Sequence, residues 1–358
     1  MSIRRTAALI AAIGTIFTGV AACSSSNGGG SASCSISPTS SKSSSSGRIT
    51  GNASGQQRQP VMVGSAGAVQ QAADVVPEAA SKGTITLAAQ AYTEMEIMAE
   101  MYKQVLQKAG YTVNVKLVQT RDIYMPLLEN GSVQVVPEYV SGIGDFLNTA
   151  ANGANAKSLM SNNAQASLAA LKPLADKAGI TMLNPAKATD QNAFAVTKAC
   201  ADKYNLSTLS DLAALKAPIV LAAAPDCKGR SDCAGGLSQT YGLKITKILS
   251  LGFDTTEGKN SATSGESQVV EVATTDGALS SENLVLLKDD KGIQPAQNLI
   301  PAVNTSFLKS HPDVAPALNK LSATLTTADL AALNIKVDVN RDKASTVATD
   351  YLNSKGLL

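Results

Sequence analysis

Tryptophan is absent from this chain, histidine occurs once, and only five phenylalanines and eight tyrosines stand among its 358 residues. Each scarcity removes a class of chemistry. The single His311 precedes Pro312 in a helix-start context and has no ligand-spaced partner, which leaves nothing for a histidine-based metal centre or a Ser-His-Asp triad. No Gly-x-Ser-x-Gly elbow occurs, and the paired carboxylates Asp289 and Asp290 lie in a Lys-Asp-Asp-Lys run that reads as solvated surface. No catalytic residue, cofactor or metal is therefore expected. Charge is balanced: the formal +2 includes Arg4 and Arg5, and without that leading segment the chain is neutral. A neutral body without basic runs offers no footprint for nucleic acid.

Long apolar runs are also missing, apart from one near the start. Ala7 to Ala22 follows Arg4 and Arg5 in the layout of a secretory signal, and it falls short of the roughly 20 residues of a comfortable membrane span. The run ends in Val20-Ala21-Ala22-Cys23, which resembles a bacterial lipoprotein signal: residues 1–22 are removed and Cys23 is lipidated. That implies a protein tethered to the extracytoplasmic face of a cell membrane it does not cross. Residues 23–82 are rich in Ser, Gly, Gln and Ala, and such a composition cannot bury enough surface to offset its chain entropy. They read as a disordered tether. About 276 residues remain from Gly83, enough for two lobes with real cores.

The folded part is organised around Gly131-Ser-Val-Gln-Val-Val-Pro-Glu-Tyr139. Gly131 ends a helical stretch, Val133 to Val136 is short and β-branched as a strand should be, and Pro137 is expected to stop the ladder. Glu138 and Tyr139 then sit at a strand's carboxyl end, where open α/β sheets place ligands. A partial copy follows at Gly265-Glu-Ser-Gln-Val-Val-Glu-Val-Ala273, ahead of Thr274-Thr275-Asp276-Gly277. Two copies of Gly-x-x-Gln-Val-Val predict two similar lobes that aim strand ends at a shared cleft. Around the first copy, Thr84 to Ala88 reads as a strand, Thr93 with Glu96 as a capping box, and Ile97, Met101, Val105 and Leu106 as one helix face ending near Gly110.

Tyr92-Thr93-Glu94, the segment Gly131 to Tyr139, Asp190-Gln-Asn-Ala-Phe-Ala-Val196, Arg230-x-Asp-x-x-x-Gly-Leu237, Tyr241-Gly-Leu243 and Thr275-Asp276-Gly277 occur in an order that resembles the substrate-binding proteins of glycine betaine, choline and carnitine ABC importers. The likeness runs on through Leu333-Asn334 and Val337-Asp338. It implies an α/β, two-lobed periplasmic-binding-protein fold with two hinge crossovers and a ligand cleft between lobes. Residues 83–188 and 281–358 form lobe one in this reading, and 189–280 form lobe two. The implied function is a monomeric solute-binding component that serves a permease and an ATPase in osmoprotectant uptake.

Such proteins hold quaternary ammonium groups against aromatic faces and carboxylates against an Arg. Carried over, Tyr139 takes the aromatic place and Arg230 the carboxylate-binding place, with Tyr92, Asp190, Asn192, Thr275 and Asp276 around the cleft. The chain departs from the pattern where relatives often have aromatics: Asn192 and Ala273 stand there. Met95 replaces a usual Gln, and Val140-Ser141-Gly142 replaces a usual Thr-Gly-Thr. A different small solute, or a role as an envelope sensor, is the competing expectation. Cys227 and Cys233 flank a short turn containing Arg230 and are expected to form a disulfide in an oxidising compartment. Cys34 and Cys200 are also present, and four cysteines beyond Cys23 allow three complete pairings that spacing does not rank.

Overall fold

Both halves of the chain use one local device. After the helix Arg121–Glu129 the chain reverses at Gly131 (φ +81°), and after the helix Thr256–Thr263 it reverses at Gly265 (φ +86°), a left-handed conformation that glycine adopts without steric cost. Three residues later, Gln134 N donates to Thr86 O at 2.9 Å while its Oε1 accepts from Thr86 N at 2.6 Å. Gln268 makes the same pair of bonds to Val220, at 2.9 and 2.8 Å. The side-chain amide lends the neighbouring strand an extra acceptor before the next strand begins. The recurring Gly-x-x-Gln-Val-Val is thus a strand-start module used once per lobe.

A computed structural model describes residues 34–38 and 81–358. The expected signal at 1–22, the lipidated Cys23 and the remainder of the tether lie outside the described residues. The strands are β1 (Thr84–Gln90), β2 (Thr112–Val118), β3 (Val135–Tyr139), β4 (Ile180–Met182), β5 (Asn192–Thr197), β6 (Pro218–Ala223), β7 (Lys244–Ser250), β8 (Val269–Ala273), β9 (Leu284–Leu287) and β10 (Leu299–Asn304). They form two five-stranded sheets, ordered β2-β1-β3-β10-β4 and β7-β6-β8-β5-β9. The two orders match strand for strand. In each, four strands run parallel and the one in fourth position, a strand that has crossed from the other half of the chain, runs antiparallel to its neighbours on both sides.

In lobe one the helix Thr93–Lys108 packs across the sheet, burying Ile97, Met98, Met101, Tyr102, Val105 and Leu106 at helical spacing. Thr93 is not its cap, contrary to the sequence reading. Tyr92 holds the N-cap position without a side-chain bond, and Thr93 Oγ1 donates instead to Asp338 Oδ1 at 2.5 Å. Capping boxes do occur at Thr208 with Asp211 and at Thr326 with Asp329. Pro137 also differs from expectation, because β3 continues through it to Tyr139. It stands opposite Pro301 in β10. Two facing prolines fit antiparallel pairing only at a non-hydrogen-bonded pair, where neither nitrogen points at the partner strand, so no donor is missed.

Two further findings alter the expected division. β9 pairs with β5 in the second sheet, Phe194 opposite Leu287, so lobe two extends beyond residue 280. The return crossing falls at 294–298, alongside the outward crossing, where Asp190 N donates to Gln297 O at 3.2 Å and Thr189 bridges to Asn298. The segment 34–38, expected to be featureless tether, is built into lobe two. Cys34 is disulfide-bonded to Cys200, Ile36 is 1% exposed in the lobe-two core, and Ile36 O accepts from Tyr204 Oη at 2.8 Å. Composition missed this because one buried isoleucine and one crosslink suffice to dock five residues. The second disulfide joins Cys227 and Cys233 as expected, so of the three possible pairings the structure selects this one.

Candidate functional site

The cleft lies where the two crossings run together beside the carboxyl ends of β3 and β8. Tyr139, the last residue of β3, is 7% exposed, and its hydroxyl donates to the carboxylate of Glu94. Tyr92 Oη donates to Tyr139 Oη at 3.4 Å. The other Glu94 oxygen accepts from Asn334 Nδ2 at 3.0 Å, and the same amide lies 3.3 Å from Thr275 O. Thr275 Oγ1 in turn donates to Asp190 Oδ1 at 2.9 Å. A continuous chain of polar contacts therefore runs from Tyr92 in lobe one to Thr275 in lobe two and to Asp190 in the crossing.

A cavity of about 190 Å³ opens against Tyr139 and Asp190, closed by Gln191, Asn192, Asp232, Phe253 and Gln294. Its size is below that of pockets for drug-sized ligands, so it suits a small solute. A wider open groove of about 680 Å³ shares Gln191, Asn192 and Gln294 and is otherwise lined largely by residues 286–292. The rings of Tyr139 and Phe253 and the carboxylate of Asp190 converge on the smaller cavity.

Two expected residues lie elsewhere. Arg230 does not line the cavity. Its Nε and Nη2 hold both oxygens of Asp232 at 3.0 and 2.9 Å, and Asp226 and Glu271 approach at 3.4 and 3.5 Å. It is Asp232, fixed by this pair and by Asn192 Nδ2 at 3.0 Å, that faces the cavity. Asp276 belongs to a separate hollow of about 240 Å³, where its Oδ2 meets Lys259 Nζ at 2.8 Å beside Asp254. The structure thus brings Tyr139, Asp190 and Asn192 together, with Tyr92 and Thr275 one contact behind. Asn192 and Ala273, the two positions without the family's aromatics, are register partners across β5 and β8.

Sequence reasoning missed Glu94, Asp232, Phe253, Gln294 and Asn334 as cleft residues. Glu94 looks like an ordinary first-turn acid of a helix, and nothing local marks it as 3% exposed. Asn334 lies on the helix Thr327–Asp338, and its contact with Glu94 spans 240 positions.

Burial dominates the electrostatics. It pushes the Glu94 carboxyl above its ordinary range, opposed by the donors Tyr139 and Asn334. Asp190 is pushed up to about 7, first by desolvation and then by the nearby Glu94 charge, and Asp254 to about 7 by desolvation and Asp276. The folded state therefore keeps protons that the unfolded chain releases above about pH 4. Stability from these groups is present at acid pH and is lost as pH rises toward about 7. Binding of a cation runs the other way, since only ionised Asp190 attracts it. Affinity for a permanently charged solute is expected to rise between about pH 6 and 8 and to lose that rise in Asp190→Asn, as calorimetry across pH will test. A flat profile in the unsubstituted protein would remove Asp190 from the binding reaction.

Two lobes that repeat one sheet, joined by paired crossings beside a small polar cavity, define a two-lobed solute-binding protein. Residues 83–354 match the family described as the substrate binding domain of ABC-type glycine betaine transport systems, and the chain belongs to that family. It is 29% identical over 288 residues to a glycine-betaine-binding protein of Pseudomonas aeruginosa, covering 77% of this chain and 89% of the relative. It is 30% identical over 274 residues to the glycine betaine-binding protein YehZ of Escherichia coli K12, covering 74% and 88%. The solved structure of apo YehZ superposes with a TM-score of 0.65 at 25% identity, covering 77% of this chain and 99% of that one. The family is one of extracytoplasmic binding proteins, not of enzymes. Among the described residues no helix is long and apolar enough to cross a membrane.

Proposed function

We propose that this protein captures a small organic cation of the quaternary amine class outside the cell and delivers it to the permease and ATPase subunits of an ABC importer. Cys23 would hold it, as a monomer, at the extracytoplasmic face through a lipid anchor. The observation that carries the ligand class is the cavity itself, which sets Tyr139 and Phe253 beside the carboxylate of Asp190. Ring faces attract a cation that cannot donate hydrogen bonds, and a part-buried carboxylate adds long-range attraction. Polar contacts between Thr275, Asn334 and Glu94 cross from one lobe to the other, so a solute touching both lobes biases a hinge at the crossings toward closure.

The names of the relatives support glycine betaine and its analogues as the first compounds to test. Calorimetry with glycine betaine, choline, carnitine and ectoine should give saturable binding by at least one. Tyr139→Ala should weaken that binding about tenfold, the scale of one lost cation–π contact. Silence from the whole panel in a folded protein would reject the quaternary amine reading. The aromatic-poor pair Asn192 and Ala273 favours, as a second reading, a different small solute in the same cleft.

A further inference from the structure

We infer that the body is fastened to its membrane anchor through lobe two, and not through the start of lobe one. This rests on the proposed lipid at Cys23 and adds where that lipid acts. In chain order the sheets begin with β1, so an anchor at Cys23 would pull on lobe one through every residue that precedes Thr84. The structure interposes an earlier attachment. Cys34 is disulfide-bonded to Cys200, three residues beyond the end of β5. Ile36 is buried in the core that holds Phe194 and Val196, and its carbonyl accepts from Tyr204 Oη at 2.8 Å. Ser35 Oγ donates to Ser267 O at 3.4 Å and accepts from Gln268 Nε2 at 3.3 Å.

The last contact marks lobe two as shaped for this segment. Both strand-start glutamines use Oε1 on the neighbouring strand, but Gln134 Nε2 turns back to Gly131 O at 2.5 Å, whereas Gln268 Nε2 reaches Ser35. One module closes on itself, and its copy receives a segment from elsewhere in the chain. Gln268 precedes β8 and Cys200 follows β5, so the segment docks at the end of the sheet opposite Asn192, which lines the cavity. The attachment therefore leaves the cavity unobstructed.

Chain length turns this contact into a constraint. Cys34 stands 11 positions after Cys23, a stretch that spans at most about 40 Å, close to the roughly 35 Å depth of a 100-residue lobe. Without the crosslink the attachment would fall at Ser81, 58 positions after Cys23, with a limit of about 200 Å. Residues 39–80 then join the two lobes in a covalent ring, and their limit of about 150 Å is roughly twice the breadth of two such lobes. Lobe two is thus held near the lipid, while the ring leaves lobe one able to move about the hinge.

Trypsin separates the two routes of attachment. No Lys or Arg stands between Cys23 and Lys42, while Lys42, Arg48 and Arg58 lie between the docked segment and β1. The purified, lipidated full chain is bound to phosphatidylcholine liposomes, treated with trypsin, and floated with and without dithiothreitol. The cut body, identified by its new amino terminus, is expected to float with the liposomes and to be lost from them once the reductant breaks the disulfide. Cys34→Ser is expected to float before trypsin and to be released by the cut alone. Release of the cut, unreduced body overturns the inference and leaves the lipid anchor standing. Retention after reduction also overturns it, by placing a lipid contact elsewhere on the body. A full chain that never floats overturns the anchor and the inference together. The unsubstituted chain decides the question by itself if Cys34→Ser does not fold.

Discussion

Replacing Cys34 by serine is expected to lower the unfolding free energy by about 3–5 kcal/mol, a large fraction of the stability of an ordinary domain. The disulfide to Cys200 closes a sequence separation of 166 residues. The chain-entropy account assigns about 5 kcal/mol to a loop of that size, against about 2 kcal/mol for the six-residue separation of Cys227 and Cys233. Loss of the crosslink also frees segment 34–38, which withdraws Ile36 from the lobe-two core and leaves the Tyr204 hydroxyl without its carbonyl partner. Urea unfolding of Cys34→Ser and Cys200→Ser should show matching losses, and Cys227→Ser a smaller one. Equal midpoints for Cys34→Ser and the unsubstituted protein would mean that the segment is not part of the folded body. Reduction by dithiothreitol should reproduce the larger loss without any substitution.

Arg121→Ala carries the second large effect, about 3–5 kcal/mol, because it strips the partner from a buried charge. Glu138 is 1% exposed, at the end of β3, and Arg121 holds both its oxygens at 2.7 and 2.9 Å while Tyr124 donates to the same carboxylate. The guanidinium lies close against the next turn. A Cβ added at Gly142 would come within 2.8 Å of Arg121 Nη2, so this glycine leaves room for the guanidinium. Removing both charges, as in Arg121→Leu with Glu138→Leu, should recover much of the loss, since the cost lies in the unpaired carboxylate and not in the absence of the pair. Thermal unfolding of the single and double variants tests this. A single variant within about 1 kcal/mol of the unsubstituted protein would show that water reaches Glu138. Tyr139 adjoins Glu138, so the single variant should weaken solute binding as well.

The outline of the fold was legible in local pattern. Helix faces repeat at 3.6 residues and strands are short β-branched runs, so the first strand, the helix ending near Gly110 and the strand after Gly131 could be read directly, although that strand runs on past Pro137 to Tyr139. The repeated Gly-x-x-Gln-Val-Val foretold two like lobes, because a left-handed glycine and a ladder-extending glutamine are local requirements with a local signature. Tyr139 was legible at a strand end, whereas Asp190 and Asn192 were reached through the resemblance to the binding-protein family.

Other features depend on which residues meet across the chain. Whether Arg230 faces a ligand or a carboxylate was decided by Asp232 and Glu271, and Glu271 lies 41 positions away on β8. That Pro137 can sit mid-sheet was decided by Pro301 opposite it, and that Cys34 pairs with Cys200 was decided by a hollow in lobe two that accepts Ile36. Glu94 became a buried acid because Tyr139 and Asn334, 45 and 240 positions away, supply its donors. The sequence by itself determined the main elements and the two lobes, because each of these is set by neighbours within a few residues. Only the tertiary structure decided charge balance, crosslinks and the lining of the cavity, because burial and pairing are properties of the space between elements and leave no period in the chain.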